Sequence, residues 1–273
     1  MTSASADARI AERFAPVVVT DEPGWVDAES VLSSGEPTRI EAMLAGPRRS
    51  SRARTDTAAG SLLLLEYARL LSWPVLAARL RDGADLDPSP ANVALRPGDL
   101  ERGALAFRRG PTTRRTSRDP DATREDAPAV PGELDDVVTG LVDHLERLGD
   151  ALSRHVRIGR RTVLGDIASA LAGGFLALSW MHPPRDRHLP VALDAVESDP
   201  RLRGLVSLEA VEHEGRPWMV AWRTACCLAS GDPAARSYCG TCPVLDKDER
   251  LERFHHAAGR YLGLTGTSSP STR

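Results

Sequence analysis

The chain has 273 residues, 41% of them hydrophobic and 27% charged, with a formal net charge of −3. That length can bury a substantial core in one large or two small domains, and the composition is that of a soluble globular protein. Near-neutral charge gives no electrostatic footprint for a nucleic acid or an anionic membrane as partner.

Residues 1–14 lack a basic segment followed by an apolar one, so the start does not read as a secretory signal. Phe14 to Val19 suits a short strand before a Pro-Gly turn, and Trp25 to Leu32 and Pro37 to Gly46 suit short helices. Arg48 to Arg54 is strongly basic and reads as a solvated loop. From Thr55 the pattern is helical: Leu62, Leu65, Tyr67, Leu70, Leu71 and Val75 give a nearly all-round apolar surface. Pro74 is expected to kink or divide this helix, and Asp82-Gly83 to end it. Ala91 to Leu95 and Ala104 to Phe107 read as two antiparallel strands. Residues 108–133, rich in Arg, Thr, Asp and Pro without apolar periodicity, read as a linker between an N-terminal region (1–107) and a C-terminal one (134–267).

The C-terminal region opens with Leu134, Val137, Val138, Leu141, Leu145 and Leu148 at helical spacing, followed by a basic stretch from Arg154 to Arg161. A second helix is expected from about Thr162 to Trp180, stopped by His182-Pro183-Pro184. Its Ser169, Ala172 and Gly173 share a small-residue face open to close approach by a neighbouring backbone. Leu189 to Val196 reads as helix. Leu205 to Val211 and Trp218 to Arg223 alternate as strands about a His213-Glu214-Gly215 turn. Asp246 to Leu262 reads as a terminal helix, and residues 268–273 as a disordered tail. Neither apolar stretch reads as a membrane span: Ser61 to Leu80 contains Glu66, Arg69 and Arg79, and Ile167 to Met181 is shorter than the bilayer core. The fold class is α+β, α-rich, with a small antiparallel β-hairpin leading into a C-terminal cysteine motif, and the expected location is cytoplasmic.

All four cysteines, Cys226, Cys227, Cys239 and Cys242, lie in that motif. In a reducing compartment, clustered thiols suit metal better than disulfides. Thiolates are soft donors for zinc, copper(I) and iron–sulfur centres. Cys239-Gly240-Thr241-Cys242-Pro243 is a tight turn able to aim two thiolates at one metal, with Gly240 free to take positive φ. Cys226 and Cys227, being adjacent, reach one centre only if the strand ends and the backbone bends, and Ser230-Gly231-Asp232-Pro233 offers such a bend. Zinc sites more often use a CxxC turn at each end. The chemistry by itself leaves a redox cluster and structural zinc both open.

The stretch Arg223-Thr-Ala-Cys226-Cys227-Leu228 with Cys239-Gly-Thr-Cys242-Pro243 resembles the C-terminal signature of the FhuF-like ferric-siderophore reductases. Looser similarity runs through Val163 to Gly173, Asp87 to Leu95 and Trp73 to Ala77. Eleven residues separate Cys227 from Cys239, one more than is usual there. The resemblance implies a [2Fe–2S] cluster on the four cysteines, Arg223 as a residue supporting them, a ferric siderophore as substrate and iron(II) release. With no dinucleotide fingerprint after a strand, electrons would come from an external donor such as a ferredoxin or flavoprotein. A zinc-binding or redox-sensing protein is the alternative. Arg236 could also serve the thiolates or lie at the surface. Trp218 and Trp222 read as packing residues, His255 and His256 as a solvated helix face, His182 and His188 as turn residues without ligand partners, and Asp135, Asp136 and Glu146 as ordinary helix charges.

Overall fold

Thr55 opens the longest helix by accepting a hydrogen bond from the Ala58 N–H at 3.1 Å, an N-cap that satisfies one of the otherwise orphaned donors. In the computed structural model, which describes residues 12–20, 22–34, 37–50, 52–98, 100, 103–113, 132–181, 183–229 and 238–263, the N-terminal elements are β1 (Val26–Asp27), α1 (Ala28–Ser34), α2 (Pro37–Arg49) and α3 (Asp56–Leu80). They are followed by β2 (Ala84–Asp85), a 3-10 turn at Pro90–Asn92, β3 (Val93–Leu95), β4 (Leu105–Phe107) and β5 (Thr112–Thr113). The C-terminal elements are α4 (Asp135–Ser153), α5 (Arg160–Met181), α6 (Leu189–Ser198), β6 (Val206–His213), β7 (Arg216–Arg223) and α7 (Lys247–Tyr261).

Pro74 does not divide α3, which runs through it unbroken. An internal proline costs about 3 kcal/mol through its lost N–H and ring clash. Here that cost is outweighed by burial of Leu63, Leu64, Tyr67, Leu71 and Leu76, none of them exposed. The partner of α3 is α5. Trp73 lies on the glycines of α5 and donates its indole N–H to the Ala170 carbonyl at 3.1 Å. A Cβ on Gly174 would stand 2.9 Å from Leu76 and 3.1 Å from Trp73, so glycine is what lets these helices approach.

The expected boundary between the two regions is not a boundary of the core, since α3 joins α4 and α5 in one hydrophobic cluster. Tyr67 of α3 meets buried His144 of α4 at 2.7 Å. Buried Arg79 spans from α3 to Asp136 at 2.9 Å and Asp85 at 3.1 Å. Asp136 is thus more than a surface helix charge, and Glu146 likewise binds Arg201 at 2.8 Å and Arg160 at 2.9 Å. The start of the expected linker is ordered pairing: Thr112 and Thr113 form β5 against β2. Residues 114–131 lie outside the described residues, as do the tail, His182 and Arg236.

The anticipated strand pair is β3–β4, antiparallel with Ala94 opposite Ala106, and β1 adds a third strand on β3. Only Val18 of the expected first strand bridges to Phe107, because Phe14 is drawn back into a helical turn and stacks on Trp73. Helix α2 continues to Arg49, absorbing part of the expected basic loop. Cations suit a helix C-terminus, and Arg48 is held by Asp56 at 2.9 Å and by Glu41. Helix α5 begins at Arg160, so it exceeds the charge-free run read from sequence. By length and composition α3 and α5 could each cross a membrane, and 72% and 67% of their apolar windows are buried within the fold.

The β6–β7 hairpin positions the cysteines. Its register sets His213 opposite Arg216 and Val206 opposite Arg223. Glu214 and Gly215 both have positive φ, 53° and 69°, the backbone that a tight hairpin turn requires.

Candidate metal centre

Strand β7 ends where the cysteine motif begins, and the motif's two halves are tied together there. The Arg223 N–H donates to the Thr241 carbonyl at 3.3 Å, placing the Cys239–Cys242 turn beside the end of the strand. The chain then runs against α5. A Cβ on Gly165 would sit 2.3 Å from the Ala225 Cβ, so only glycine admits the cysteine loop at this distance.

The bend that adjacent cysteines need falls at Leu228, whose φ is +57°. With that turn the Leu228 N–H donates to Cys226 Sγ at 3.3 Å, and the Ala229 N–H donates to the Cys227 sulfur. The expected bend at Ser230 to Pro233 lies outside the described residues. In the second half, the Cys242 N–H donates to the Cys239 carbonyl at 3.0 Å, and the Val244 N–H to the Cys242 sulfur. Gly240 does not use the positive φ anticipated for it; it lies against Arg253, whose guanidinium holds the Tyr238 carbonyl and so docks the turn on α7.

All four cysteines are free thiols, with Cys227 and Cys242 buried and Cys226 and Cys239 half-buried. Burial pushes the Cys227 thiol up, while Arg223 and the Ala229 N–H pull it down. Burial also raises Cys242, and charge on Cys239, Cys226 or Cys227 raises it further, so the four sulfurs share one electrostatic neighbourhood. Among the described residues, no group of three or more His, Cys, Asp or Glu side chains stands close enough to hold a metal ion. The thiols are gathered near one another without being closed on a common point. Their chemistry nonetheless fits a thiolate-ligated centre: the donors are uniformly soft, and backbone N–H groups aimed at sulfur are what stabilise thiolate ligands.

Behind the motif is a buried chain that sequence reading passed over. Arg223 donates to Asp166 Oδ1 at 2.5 Å and to the Ala225 carbonyl at 3.3 Å, and Ser61 donates to Asp166 Oδ2 at 2.5 Å. Asp166 is fully buried, and burial pushes its carboxyl up to about 6 against the pull of Arg223 and Ser61. The available signal was an aspartate in the middle of the apolar run from Val163 to Gly174. Arg223, read from sequence as a support for the thiolates, divides its charge between Asp166 and Cys227.

A cavity of about 300 Å³ opens on Cys227 and Cys239, with Arg52, Arg69, Trp73 and Arg223 among its lining. The Ser169–Ala172–Gly173 face borders this cavity; what stands close there is the Trp73 side chain, 3.6 Å from where a Gly173 Cβ would be, and the close approach of a neighbouring chain segment is that of Ala225 at Gly165. Trp218 is buried in an aromatic cluster with Trp180, Phe254 and Tyr261, and Trp222 donates to Glu209 at 2.5 Å, so both pack as expected. His256 is exposed, but His255 stacks on His213 with the two Nδ1 atoms 3.0 Å apart, a pairing across α7 and β6 invisible to local spacing. His188 precedes α6 as its N-terminal flank.

No family model matches the chain, and no curated protein or solved structure matches it either.

Proposed function

We propose that Cys226, Cys227, Cys239 and Cys242 hold a [2Fe–2S] cluster and that the protein is a cytoplasmic ferric-siderophore reductase that releases iron(II). The observation that carries the reading is that four free thiols from two loops lie in one electrostatic neighbourhood, though not closed on a common point, beside a cavity that Cys227 and Cys239 themselves line. When bound, such a cluster supplies one electron at a time at a potential set by ligand charge, hydrogen bonds to sulfur and exposure. The electron converts substrate iron(III) to iron(II), which oxygen donors hold far less tightly. A reduced ferredoxin or flavoprotein is the donor and is oxidised by one electron per turnover.

The chain's own residues have distinct tasks in this scheme. The Leu228, Ala229 and Val244 N–H groups stabilise thiolate charge at three of the four sulfurs. Arg223 sets a buried cation next to Cys227, and Asp166 fixes that cation in place. The cavity, which Cys227 and Cys239 line, would hold the ferric complex beside the cysteine loops and away from bulk water. No side chain has to act as nucleophile or general acid.

The second reading, structural zinc or a redox-sensing thiol site, draws on the Cys239–Cys242 turn, whose Cys242 N–H to Cys239 carbonyl bond and N–H to sulfur bond also suit a zinc knuckle. Anaerobically purified protein separates the two. A reddish-brown protein that bleaches on reduction and accelerates iron(II) trapping from ferric chelates supports the reductase; colourless protein with stoichiometric zinc rejects it.

A further inference from the structure

Ser61, Asp166 and Arg223 come from three different elements, α3, α5 and the end of β7, and all three are buried. Both oxygens of the Asp166 carboxyl are engaged, Oδ1 by Arg223 and Oδ2 by Ser61. Arg223 in turn donates to the Ala225 carbonyl, just before the cysteine pair, and lines the cavity alongside Cys227 and Cys239. Asp166 therefore reaches the cysteines by way of one guanidinium. It is a destabilising residue to hold in this place: burial raises its carboxyl to about 6, a cost that an apolar side chain on α5 would not carry. The two charges act on Cys227 in opposite senses. Arg223 favours the thiolate there, and Asp166 opposes it.

We infer that Asp166, acting through Arg223, is a positioning residue that sets the charge felt at the cysteines: it anchors the guanidinium beside Cys227 and offsets part of it, so that a cluster held there keeps a low potential. An unopposed cation next to a thiolate ligand stabilises an added electron and makes the reduced centre a weaker reductant. Iron(III) held by oxygen donors is hard to reduce, so that loss falls on the reaction itself. Arg223 still favours the thiolates, and Asp166 limits how far its charge raises the potential. The inference rests on the reductase reading for the presence of a cluster; the charge balance at the thiols does not depend on it.

Asp166→Asn is nearly isosteric: its amide oxygen can still accept from Arg223, and its amide nitrogen can donate to Ser61. Anaerobic redox titration of the cluster-bearing protein at about pH 8, followed by absorbance and EPR, should show reduction of the variant favoured by at least about tenfold, or about 59 mV for one electron. Ser61→Ala, which removes a hydrogen bond and neither charge, should stay within about twofold of wild type. The charge-free pair Asp166→Asn/Arg223→Met should lie at or below wild type. A second readout needs no metal. In the reduced, metal-free chain, the rate at which the thiols react with anionic dithiobis(nitrobenzoate), taken relative to neutral dithiodipyridine, should rise by about threefold or more in Asp166→Asn, and by less at high salt. An unchanged potential, an unchanged rate ratio, a shift as large in Ser61→Ala as in Asp166→Asn, or a double variant above wild type would each overturn the inference, and a cluster that still reduced ferric chelates would leave the reductase standing. A raised rate ratio in a protein that holds zinc and no cluster would keep the charge assignment and sink the reductase.

Discussion

Arg223→Met removes the guanidinium that meets Asp166 while keeping most of the side-chain volume. With Arg223 present, burial already holds the Asp166 carboxyl near 6 in place of 3.8. That difference of about two units disfavours the folded state by roughly 3 kcal/mol at neutral pH. Taking away one partner of a buried pair typically costs about 3–5 kcal/mol more, because the other charge is left without compensation. At about 2–4 °C per kcal/mol for a chain of this size, the melting temperature should fall by roughly 6–20 °C. The pH dependence carries a definite sign. A carboxyl with a raised folded pKa keeps a proton that the unfolded chain gives up, so its contribution to stability is greatest at acid pH and is lost as pH rises through the folded value. In the variant that value moves higher still, and the deficit against wild type should be largest near about pH 8 and shrink toward about pH 5. His144 acts oppositely. Burial lowers it from 6.5 to about 4, so its contribution is lost as pH falls below the unfolded value. Taking the difference between variant and wild type cancels that slope. Anaerobic denaturant titrations over this range measure the deficit, with Asp166→Asn/Arg223→Met as the control that leaves neither charge and should recover most of the loss. A deficit that is constant with pH, or that grows toward acid, would refute the reasoning, as would a double variant no more stable than Arg223→Met.

The His144 Nδ1 lies 2.6 Å from the Pro88 carbonyl and therefore carries the ring proton, so Nε2 accepts from the Tyr67 hydroxyl. Tyr67→Phe should cost about 1–3 kcal/mol by orphaning that acceptor, measured by thermal melting. His144→Gln should flatten the loss of stability that wild type shows between roughly pH 6.5 and 4, and an unchanged acid limb in denaturant titrations would exclude His144 as its source. Gly165→Ala should cost about 1–3 kcal/mol by pushing the Ala225 loop away from α5, and should lower bound metal per chain in elemental analysis. Cys242→Ser, at a buried thiol proposed as a ligand, should abolish the visible chromophore in an absorption spectrum, while Arg52→Gln, at an exposed position, should leave it unchanged.

The elements themselves were largely legible in the sequence because their signals are local. The apolar spacing of Leu134 to Leu148 identifies α4, and Asp246 caps α7 through the Glu249 N–H at 2.8 Å. Glu214-Gly215 marks the hairpin turn. The misplaced features are those decided by distant partners. Pro74 looks like a breaker until the burial of the helix around it is seen, and Thr112–Thr113 looks like linker until β2 pairs with it. At the candidate site the four cysteines were evident from clustering, but their surroundings were not. Asp166 is separated from Arg223 by 57 residues and Ser61 from Asp166 by 105, so no spacing rule connects them. Arg52 reads as part of a basic loop and becomes a cavity-lining residue only when α3 and α5 enclose a cavity next to it. The bend between the two pairs of cysteines falls on Leu228, a residue type that gives no warning of positive φ.

The reading of the four cysteines as a redox cluster is tested most directly by analysing anaerobically purified protein for iron, acid-labile sulfide and zinc, with an EPR spectrum after dithionite reduction. The account predicts about two irons and two sulfides per chain, together with a paramagnetic signal from the reduced cluster that Cys226→Ser and Cys242→Ser both remove. About one zinc per chain, no sulfide and no signal would contradict it.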